Sequence, residues 1–447
     1  MTKTIEQKKR RSTRAWCIVL AVLFLLVGVV LILSGIDGYT PEENYYGNGN
    51  VWNETDEFYD YYAAMPSVRL AEGQTKLRIM QITDPQIKFG SWTQDTKTFD
   101  LLQKAFDIGK PDIVVVTGDL TLSLFARGAV KYFCDFMERQ QVYWCFVYGN
   151  HDSEYGLSKY SHSQIFKNYK YCLFDGGPSN IKGESNYFVK VLAADGGLQY
   201  VLSMLDSNMY PDTRRGIEMF YDEVTPQQAK WYAWNIENLQ RYRSDIKSSM
   251  FMHMPLRAYV DLYNGIVDGT ISNHCGFISE PSWTLRNADG TTTEMPGIYC
   301  QTGNQNGQTK GGGYDLYDSI VALGSTDAVF CGHDHINNLR GVDANGIMLA
   351  YGRSCGYHTY PFLDNKGDLG FIADLLQSVF EYSDAQIYLS EWKDPVTGES
   401  LQKGVSFIDV DLSADNYGAI EMFDVAHGDL NDGKLVKQYV LVNNQAL

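Results

Sequence analysis

Three apolar runs that alternate with two amphipathic segments constrain the fold more than any other feature of the sequence. The runs KLRIMQI at 76–82, IVVVTG at 113–118 and VYWCFVYG at 142–149 are short and almost entirely apolar, which is typical of strands buried on both faces. Residues 98–109 and 126–140, which lie between them, carry apolar side chains at helical spacing. This β–α–β–α–β order predicts an α/β fold with parallel strands.

The middle of the chain follows a different pattern. Residues 185–205 predict a hairpin that turns at Asp195-Gly196-Gly197, and residues 225–242 predict a helix that begins after Thr225. Further strands are predicted in SSMFMHMP, DAVFCGHDH, GIMLAYGR and VSFIDVDL. A long loop rich in Gly, Asn and Thr is predicted to fill much of 261–313.

The first 35 residues predict a membrane anchor. Residues 1–14 carry six Lys or Arg and one Glu, and the nineteen residues of 15–33 carry no charge. A helix of that length matches the hydrocarbon thickness of a bilayer, and the basic flank predicts a cytoplasmic N-terminus. We therefore expect a basic cytoplasmic tail at 1–14, a transmembrane helix at 15–35 and an extracytoplasmic remainder, with secretion after cleavage of a signal peptide as the alternative.

The rest of the chain divides into a linker and one large domain. Residues 36–74 are acidic, rich in Tyr and Asn and aperiodic, which predicts a stalk that leads to the folded part. The folded domain is predicted over 75–447. Within it, residues 364–403 resemble an insertion and hold a predicted helix around 369–382.

The charge of the chain restricts its partners. The net charge is −17, and since residues 1–14 carry +5 the remainder carries −22. A strongly acidic surface repels phosphate backbones, so we expect no general nucleic-acid binding. Contact with a membrane is expected through the N-terminal helix, and the sequence leaves the oligomeric state open.

Polar side chains follow the predicted strands at the points where the strands end. The first strand is followed by Asp84 and Gln86, and the second by Gly118 and Asp119. Three later strands are followed by Asn150, His151 and Asp152, by His253, and by His333 and His335. Because ligands bind beyond the carboxyl ends of strands in open α/β sheets, we expect these side chains to line one site.

The donor types at these strand ends favour a site for two divalent metal ions, since carboxylates, amide oxygens and imidazoles are suitable ligands for such ions. A carboxylate can bridge both ions through its two oxygens, and Asp119 on the central strand is the natural bridging residue. Glycine before Asp119, Asn150 and His333 allows the chain to turn sharply there. Two ions about 3.5–4 Å apart can activate a shared water and hold the attacking and leaving oxygens of a phosphoryl displacement.

The motifs DPQ, GDL, GNHD, a single His and GHDH, in that order, resemble those of the calcineurin-like metallophosphatase (metallophosphoesterase) superfamily. The similarity runs from about residue 77 to residue 360. HMPL at 253–256 and YGRSCGYHTY at 351–360 resemble the Dcr2-type and purple-acid-phosphatase-related branch. The resemblance implies a four-layer αββα sandwich of two mixed β-sheets and an enzyme that hydrolyses phosphoric esters.

The resemblance also implies roles for individual residues. One metal ion would be held by Asp84, Gln86, Asp119 and His335. The other would be held by Asp119, Asn150, His253 and His333. A metal-bridging hydroxide would attack phosphorus, while His151 steadies the transition state and protonates the leaving oxygen as general acid, with Asp152 orienting it.

Two positions depart from the family pattern. Most relatives have Asp-x-His in the first motif, where this chain has Asp84-x-Gln86, and a neutral amide oxygen favours Mn²⁺ or Mg²⁺ over zinc. We expect two divalent ions drawn from Mn, Fe, Zn and Mg, with Mn favoured. Purple enzymes carry a tyrosinate ligand three residues after the bridging aspartate, where this chain has Leu122, so a colourless protein is expected.

A second set of residues is predicted to contact substrate. It consists of Asn150, Arg257, Arg353 and His358. Each arginine could bind a phosphate through two hydrogen bonds or could form an ion pair. The remaining histidines, His162, His274 and His427, are expected to be solvated or hydrogen-bonded rather than to bind a metal.

The sequence therefore predicts a membrane-anchored, outward-facing binuclear metallophosphoesterase that acts on a small-molecule or exposed phosphoester. Two alternatives stay open. Gln86 favours a phosphodiesterase or nucleotide pyrophosphatase, because some superfamily members that cleave nucleotide-type diphosphates share this residue. The other alternative is a non-catalytic cell-surface binding protein that retains the fold, although the intact set of candidate ligands argues against it.

Overall fold

The computed structural model describes most of the chain in nine stretches. These are residues 16–29, 47–90, 94–123, 125–154, 157–209, 221–286, 291–302, 313–359 and 403–443. The predicted basic tail at 1–14 and the predicted helix around 369–382 lie outside them. So does the predicted insertion at 364–403, apart from its last residue, Lys403.

The helices of the described residues are short to medium in length. In chain order they are α1 (16–29), α2 (Phe58–Ala64), α3 (Gln94–Gly109), α4 (Ala126–Gln140), α5 (Lys159–Phe166), α6 (Pro226–Tyr242), α7 (Ala258–Val267), α8 (Tyr314–Leu323) and α9 (His427–Asn431). Within the described stretches, no helix combines the length and the apolar character needed to cross a membrane. The transmembrane helix predicted at 15–35, which extends beyond α1 at both ends, is thus not among the elements found.

The strands are distributed over two large sheets and one hairpin. In chain order they are β1 (Ser67–Arg69), β2 (Lys76–Ile82), β3 (Ile113–Thr117), β4 (Tyr143–Val147), β5 (Tyr187–Leu192), β6 (Leu198–Met204), β7 (Ser248–Phe251), β8 (His274–Cys275), β9 (Trp283–Arg286), β10 (Thr292–Met295), β11 (Thr326–Cys331), β12 (Arg340–Val342), β13 (Met348–Tyr351), β14 (Gly404–Asp411), β15 (Ile420–Ala426) and β16 (Gln438–Val442). β9 and β10 form the separate antiparallel hairpin.

Both large sheets are mixed. The six-stranded sheet has the order β16-β15-β14-β2-β3-β4, in which β2, β3 and β4 are parallel and the others antiparallel. The eight-stranded sheet has the order β1-β5-β6-β7-β11-β13-β12-β8, and β6, β7, β11 and β13 are parallel in it. The parallel strands β2, β3 and β4 thus form one half of the six-stranded sheet, with β4 at its edge, whereas β6, β7, β11 and β13 form the centre of the eight-stranded sheet.

Apolar side chains form three clusters that separate four layers. The cluster that contains Val115 and Phe330 joins residues of both sheets and fills the space between them. The outer face of the six-stranded sheet, with Val116, packs against α3, α4 and α5. The outer face of the eight-stranded sheet, with Met250, packs against α6, α7 and α8. The predicted α/β fold with two mixed sheets flanked by helices is confirmed.

The start of α6 shows how local sequence fixes an element. The hydroxyl of Thr225 accepts a hydrogen bond from the Gln228 amide at 3.1 Å, and the Gln228 side chain accepts one from the Thr225 amide at 2.9 Å. Pro226 occupies the first helical position, where its missing N–H is not needed. The predicted helix boundary at Thr225 is confirmed to the residue.

Two regions differ from the expectation. The described part of the predicted stalk at 36–74 packs on the domain, because Trp52 and Phe58 are buried in the core beside α6 and β1 pairs with β5. The loop predicted over 261–313 includes most of α7 and the strands β8, β9 and β10. Isolated aromatic anchors and very short strands leave no periodic signal, so neither region could be recognised from apolar spacing.

His162 in α5 is buried, and neither of its ring nitrogens has a hydrogen-bond partner among the described residues. In this part of the chain it is thus neither exposed nor hydrogen-bonded, unlike the solvated or hydrogen-bonded histidine that was predicted. Its ring lies in an apolar site, 5.8 Å from the ring centre of Tyr148 and 6.0 Å from that of Phe166. Burial, together with the positive charges of Arg127 and Lys159, lowers the pKa of His162 to about 3.

We expect this histidine to make stability depend on pH on the acid side. The folded pKa lies below the unfolded value, so the unfolded chain binds the proton first as the pH falls. The free energy of unfolding should fall by about 2 kcal/mol between pH 7 and pH 5 through this residue alone. His162→Phe should remove this pH dependence when the free energy of unfolding is measured by denaturant unfolding at the two pH values. His274→Gln, at an exposed position, should leave it unchanged. An equal change of the unfolding free energy between the two pH values in the unaltered protein and in both variants would contradict the assignment.

Candidate metal centre

The predicted site residues meet where parallel strands of the two sheets end. Asp84, Asp119 and Asn150 follow β2, β3 and β4 of the six-stranded sheet, whereas His253 and His333 follow β7 and β11 of the eight-stranded sheet. The site is therefore built from both sheets.

Two groups of side chains at this place could each hold a metal ion. The first contains Asp119, His253 and His333, and the second contains Asp84, Asp119 and His335. Within each group the potential ligand atoms lie within 4.8 Å of one another. Asp119 belongs to both groups, as a bridging carboxylate must.

Close contacts connect the members of the first group. Nε2 of His253 lies 3.4 Å from Oδ1 of Asp119 and 3.2 Å from Nδ1 of His333. The amide oxygen of Asn150 lies 3.1 Å from the same His253 nitrogen. Four of the predicted ligands thus direct polar atoms at one small volume.

The second group is held together in a similar way. Nε2 of His335 lies 3.4 Å from Oδ1 of Asp84 and 3.4 Å from the side-chain nitrogen of Gln86. The oxygen and nitrogen of an amide are interchangeable by a flip of the side chain, so Gln86 can present its oxygen to the same place. The structure therefore brings together all seven predicted metal ligands.

The backbone at these positions is strained. Asp84, Gln86, Asp119 and His333 have φ values of 52°, 42°, 52° and 74°, in the left-handed region that residues with a side chain rarely adopt. Such conformations cost of order 1–3 kcal/mol each and persist where the surrounding structure imposes them. Their concentration at one place marks it as a functional site.

Two of the glycines that were predicted to allow sharp turns, Gly118 and Gly332, have different backbone conformations. Gly118 has φ +84°, and a Cβ there would also lie 2.6 Å from the amide nitrogen of Gly149. Gly332 has no positive φ, but a Cβ would lie 1.9 Å from the hydroxyl of Thr83. The sharp turn itself falls at Asp119 and His333, so Gly332 is needed for close approach of strand ends rather than for its own conformation.

Neighbouring groups fix the orientation of the candidate ligands. Nδ1 of His253 lies 2.8 Å from the carbonyl oxygen of Thr117, so this nitrogen donates and Nε2 is turned to the site. Oδ2 of Asp84 accepts hydrogen bonds from the Thr83 hydroxyl at 2.7 Å and from the His333 amide at 3.2 Å. Hydrogen bonds of this kind are typical of the groups that orient metal ligands.

Two oxygens at the site meet the test that a bound cation requires. Oδ1 of Asp84 and Oδ2 of Asp119 are buried and accept no hydrogen bond from the residues that the structure describes. A buried carboxylate oxygen without a partner is costly in free energy unless a cation neutralises it. The donor set of carboxylates, imidazoles and amides is suitable for divalent ions, so the residues present fit such ions.

The electrostatics of the site centre on Asp119. Burial raises the pKa of Asp119, but the rings of His253 and His151 lower it by more, so it falls well below its usual range. Burial lowers the pKa of His253, whereas the carboxylate of Asp119 raises it by more, to about 10. Burial and the neighbouring His253 lower the pKa of His333. The anionic carboxylate of Asp119 thus lies among the imidazoles of both candidate metal groups.

His151 lies beside the two groups with one ring nitrogen turned to them. Its Nε2 is 3.9 Å from Oδ2 of Asp119, and its backbone amide donates to Oδ1 of Asp119 at 2.9 Å. Its Nδ1 is 2.8 Å from a carboxylate oxygen of Glu154. The side chain is 27% exposed, so a substrate can reach it.

Asp152, predicted to orient His151, has different partners in the structure. Its buried carboxylate accepts hydrogen bonds from the backbone amides of Asp119 at 3.0 Å, Leu120 at 2.7 Å and Gly149 at 2.7 Å. Asp152 therefore holds the ends of β3 and β4 together. The residue that contacts the His151 ring is Glu154, which sequence reasoning missed, although an acidic residue three positions after a histidine in a turn is a readable signal.

Two of the other predicted substrate contacts lie beside carboxylates that belong to neither candidate metal group. Arg353 is buried and lies 3.2 Å from the Gln438 side chain and 3.8 Å from Oδ2 of Asp424, so its place is inside the domain rather than in the cleft. His358 lies 3.2 Å from Asp95. The prediction of a substrate-binding Arg353 is corrected on this ground, because a buried guanidinium paired with a buried carboxylate is not accessible to a phosphate.

The last predicted substrate contact is Arg257, and one aromatic residue beside the cluster was missed. Arg257 is partly buried, just before α7, and makes no described hydrogen bond or ion pair with a predicted ligand. Tyr221 was not predicted, and its ring lies edge-on to His333 with the centres 4.6 Å apart. Its sequence surroundings give no periodic or motif signal that could have identified it.

The fold and this centre define an α/β protein with a candidate site for divalent metals, and comparison with known proteins gives the family. Residues 77–337 match the model of the family described as calcineurin-like phosphoesterase. The chain belongs to this family, and the family together with a phosphatase among its relatives supports a phosphoric ester hydrolase. The predicted superfamily and enzyme class are confirmed.

Similar curated proteins come from a plant and a yeast. The probable inactive purple acid phosphatase 14 of Arabidopsis thaliana is 24% identical over 64% of this chain and 72% of its own length. The phosphatase DCR2 of Saccharomyces cerevisiae is 27% identical over 67% of this chain, which spans about half (48%) of the yeast protein. The predicted branch is confirmed by these two. A solved structure, TT1561 of Thermus thermophilus, overlaps 63% of this chain and 91% of its own at 10% identity with a TM-score of 0.33.

Proposed function

We propose that this protein is a binuclear metal-dependent phosphoester hydrolase. The observation that carries the proposal is the presence of Asp119 in both candidate metal groups, with His253 and His333 on one side and Asp84 and His335 on the other. A buried carboxylate shared by two sets of ligands is the arrangement that two neighbouring divalent ions require.

Each of the two metal ions would have its own set of ligands. Asp84, Gln86, Asp119 and His335 would hold one ion, and Asp119, Asn150, His253 and His333 would hold the other. Bound there, the two ions would lower the pKa of a water molecule and neutralise charge on the phosphoryl group. Mn²⁺ is the favoured ion, because the amide of Gln86 replaces an imidazole.

His151 supplies the proton for the leaving oxygen in this proposal. Its Nε2 points toward Asp119 at 3.9 Å and its ring remains partly exposed, so the nitrogen can face an ester oxygen of a substrate held beside the cluster. Burial lowers the pKa of His151, but Asp119 and Glu154 raise it by more, to about 9. A protonated ring at this place would supply the proton that the leaving oxygen takes up.

The names of the relatives point in two directions. The yeast protein is named a phosphatase, whereas the two Arabidopsis proteins with the purple acid phosphatase numbers 14 and 29 are named probable inactive. In this chain each of the seven candidate ligands is present and directed at the cluster, which supports turnover rather than binding alone.

A substrate panel tests the proposal. The full chain should be assayed with Mn²⁺, Mg²⁺, Zn²⁺ and Fe²⁺ on aryl and alkyl phosphate monoesters, bis(4-nitrophenyl) phosphate, a cyclic nucleotide and ADP-ribose. We expect hydrolysis that needs added Mn²⁺ and is lost with a chelator. Faster cleavage of the diesters or of the diphosphate would identify the alternative that Gln86 favours. Two bound ions without turnover of any ester would contradict the proposal and leave a binding protein.

We also propose, from the sequence alone, that the catalytic domain lies outside a membrane to which residues 15–35 anchor it. The basis is the uncharged run at 15–33 after a basic segment. In intact cells that make the full chain with a C-terminal tag, an external protease should remove the tag. Without protease, the tagged protein should sediment with membranes. Tagged protein in the medium without protease would instead indicate a cleaved signal peptide. A tag that the external protease cannot remove would contradict the orientation.

A further inference from the structure

Glu154 holds a position in the site that neither the metal ligands nor Asp152 can fill. A carboxylate oxygen of Glu154 lies 2.8 Å from Nδ1 of His151, on the opposite side of the ring from the nitrogen that faces Asp119. Both side chains are only partly exposed, at 17% and 27%. A carboxylate accepts hydrogen bonds and cannot donate them, so Nδ1 must carry the hydrogen in this contact.

This contact determines what the other ring nitrogen can do. With Nδ1–H donated to Glu154, the imidazole can turn only Nε2 toward the cleft, 3.9 Å from Oδ2 of Asp119. The backbone keeps the pair together, because the Glu154 amide donates to the His151 carbonyl at 3.2 Å within the same turn. Neighbouring Ser153 points elsewhere, with its hydroxyl 3.0 Å from the sulfur of Met209.

Asp152 is not available for the same task. Its two carboxylate oxygens already accept hydrogen bonds from the amides of Asp119, Leu120 and Gly149 in the buried interior. A residue whose carboxylate is committed to backbone amides in this way cannot also turn to the His151 ring without leaving those amides unpaired. The charged group that faces Nδ1 of His151 is therefore that of Glu154.

We propose that Glu154 is a positioning residue that acts through His151 and suits the enzyme to phosphoesters with alkyl leaving groups. The inference rests on the proposed function. In the reaction, the oxygen of a water molecule forms the new bond to phosphorus and the bond to the ester oxygen breaks with its electron pair. The proton on Nε2 of His151 passes to that oxygen, and the proton that the water gives up returns the ring to its charged form.

The basicity of the leaving group determines how strongly the rate depends on the contact between Glu154 and His151. An alkoxide is a strong base and leaves poorly unless it is protonated as the bond breaks, whereas 4-nitrophenolate leaves without help. A correctly placed general acid contributes about 10²–10⁴-fold where protonation is needed. Loss of Glu154 should therefore penalise alkyl phosphates far more than 4-nitrophenyl phosphate, which a general distortion of the site would not do.

The experiment measures kcat/KM of the full chain with Mn²⁺ on 4-nitrophenyl phosphate and on glycerol phosphate. Glu154→Gln keeps the shape and removes the charge, and we expect about a 10–100-fold loss on glycerol phosphate and less than about 3-fold on 4-nitrophenyl phosphate. Glu154→Asp should recover part of the loss. Ser153→Ala is the matched control in the same turn and should retain both activities, and metal content should be unchanged in every variant.

A double variant shows whether Glu154 acts through the histidine. In a His151→Ala background, the Glu154→Gln change should add less than about 2-fold on either substrate, because residues that act as a unit are not additive. Equal losses on both substrates, no loss on either, or additive losses in the double variant would overturn the inference while the unaltered protein still hydrolyses phosphate esters. Absence of hydrolysis by the unaltered protein would instead refute the proposed function, and the inference with it.

Discussion

Asp119→Asn should lower phosphoester hydrolysis by about 10³-fold or more, which corresponds to at least about 4 kcal/mol of lost transition-state stabilisation. Oδ1 of Asp119 accepts a hydrogen bond from the His151 amide at 2.9 Å, and an asparagine oxygen could keep this contact. The amide nitrogen would then occupy the place of Oδ2, which is buried and accepts no hydrogen bond within the described stretches. A donor would replace the acceptor and the negative charge would be lost, so we expect both ions to bind weakly.

The measurement combines steady-state kinetics in excess Mn²⁺ with elemental analysis of the metal content after dialysis. Circular dichroism checks that the variant is folded. Asp432→Asn is the matched control, because Asp432 is exposed (69% of its side chain) and lies just after the last residue of α9, outside both candidate metal groups. An Asp119→Asn protein that keeps two ions and the full rate would contradict the bridging role.

Asp152→Ala should lower the free energy of unfolding by about 3–5 kcal/mol, because each buried amide left without an acceptor costs about 1–3 kcal/mol. The carboxylate is fully buried and accepts from the amides of Asp119, Leu120 and Gly149. Since domains are stable by about 5–15 kcal/mol in total, the variant should be close to unfolding at 37 °C. Asp152→Asn keeps one acceptor oxygen and should lose less.

Denaturant unfolding of the two variants beside Asp432→Ala gives the comparison. The exposed control should change stability by less than about 0.5 kcal/mol. The role that the family resemblance implies for Asp152, orienting His151, predicts a different result. In that case stability would be nearly unchanged and only the turnover rate would fall, so a stable but slow Asp152→Ala protein would show that the backbone contacts matter little.

Much of the site could be predicted because the sequence around each strand end indicates both the strand and the polar residue that follows it. An apolar run such as IVVVTG identifies a buried parallel strand, and the residue after it, Asp119, must then lie at the sheet edge where ligands bind. The same logic places His253 after β7 and His333 after β11. Because the order of the five motifs resembles that of a known superfamily, their convergence could be predicted without coordinates.

The partners of those residues could not be predicted in the same way. Whether a carboxylate beside His151 turns to the ring or to backbone amides depends on how the ends of β3 and β4 meet, so the roles of Asp152 and Glu154 were not distinguishable. Arg353 carries the same signal in sequence whether it faces a cleft or, as here, a buried Asp424. The burial of Trp52 likewise depends on a distant helix, α6, rather than on its neighbours in the chain.

The division of the ligands between the two sheets has a consequence for truncated forms of the chain. Asp84, Asp119 and Asn150 belong to the six-stranded sheet, and His253 and His333 to the eight-stranded one. A polypeptide that stops between residues 152 and 253 would include every acidic member of the cluster and none of the three histidine ligands. Proteolysis in that interval, followed by separation of the pieces, would thus abolish activity completely rather than leave a weaker enzyme.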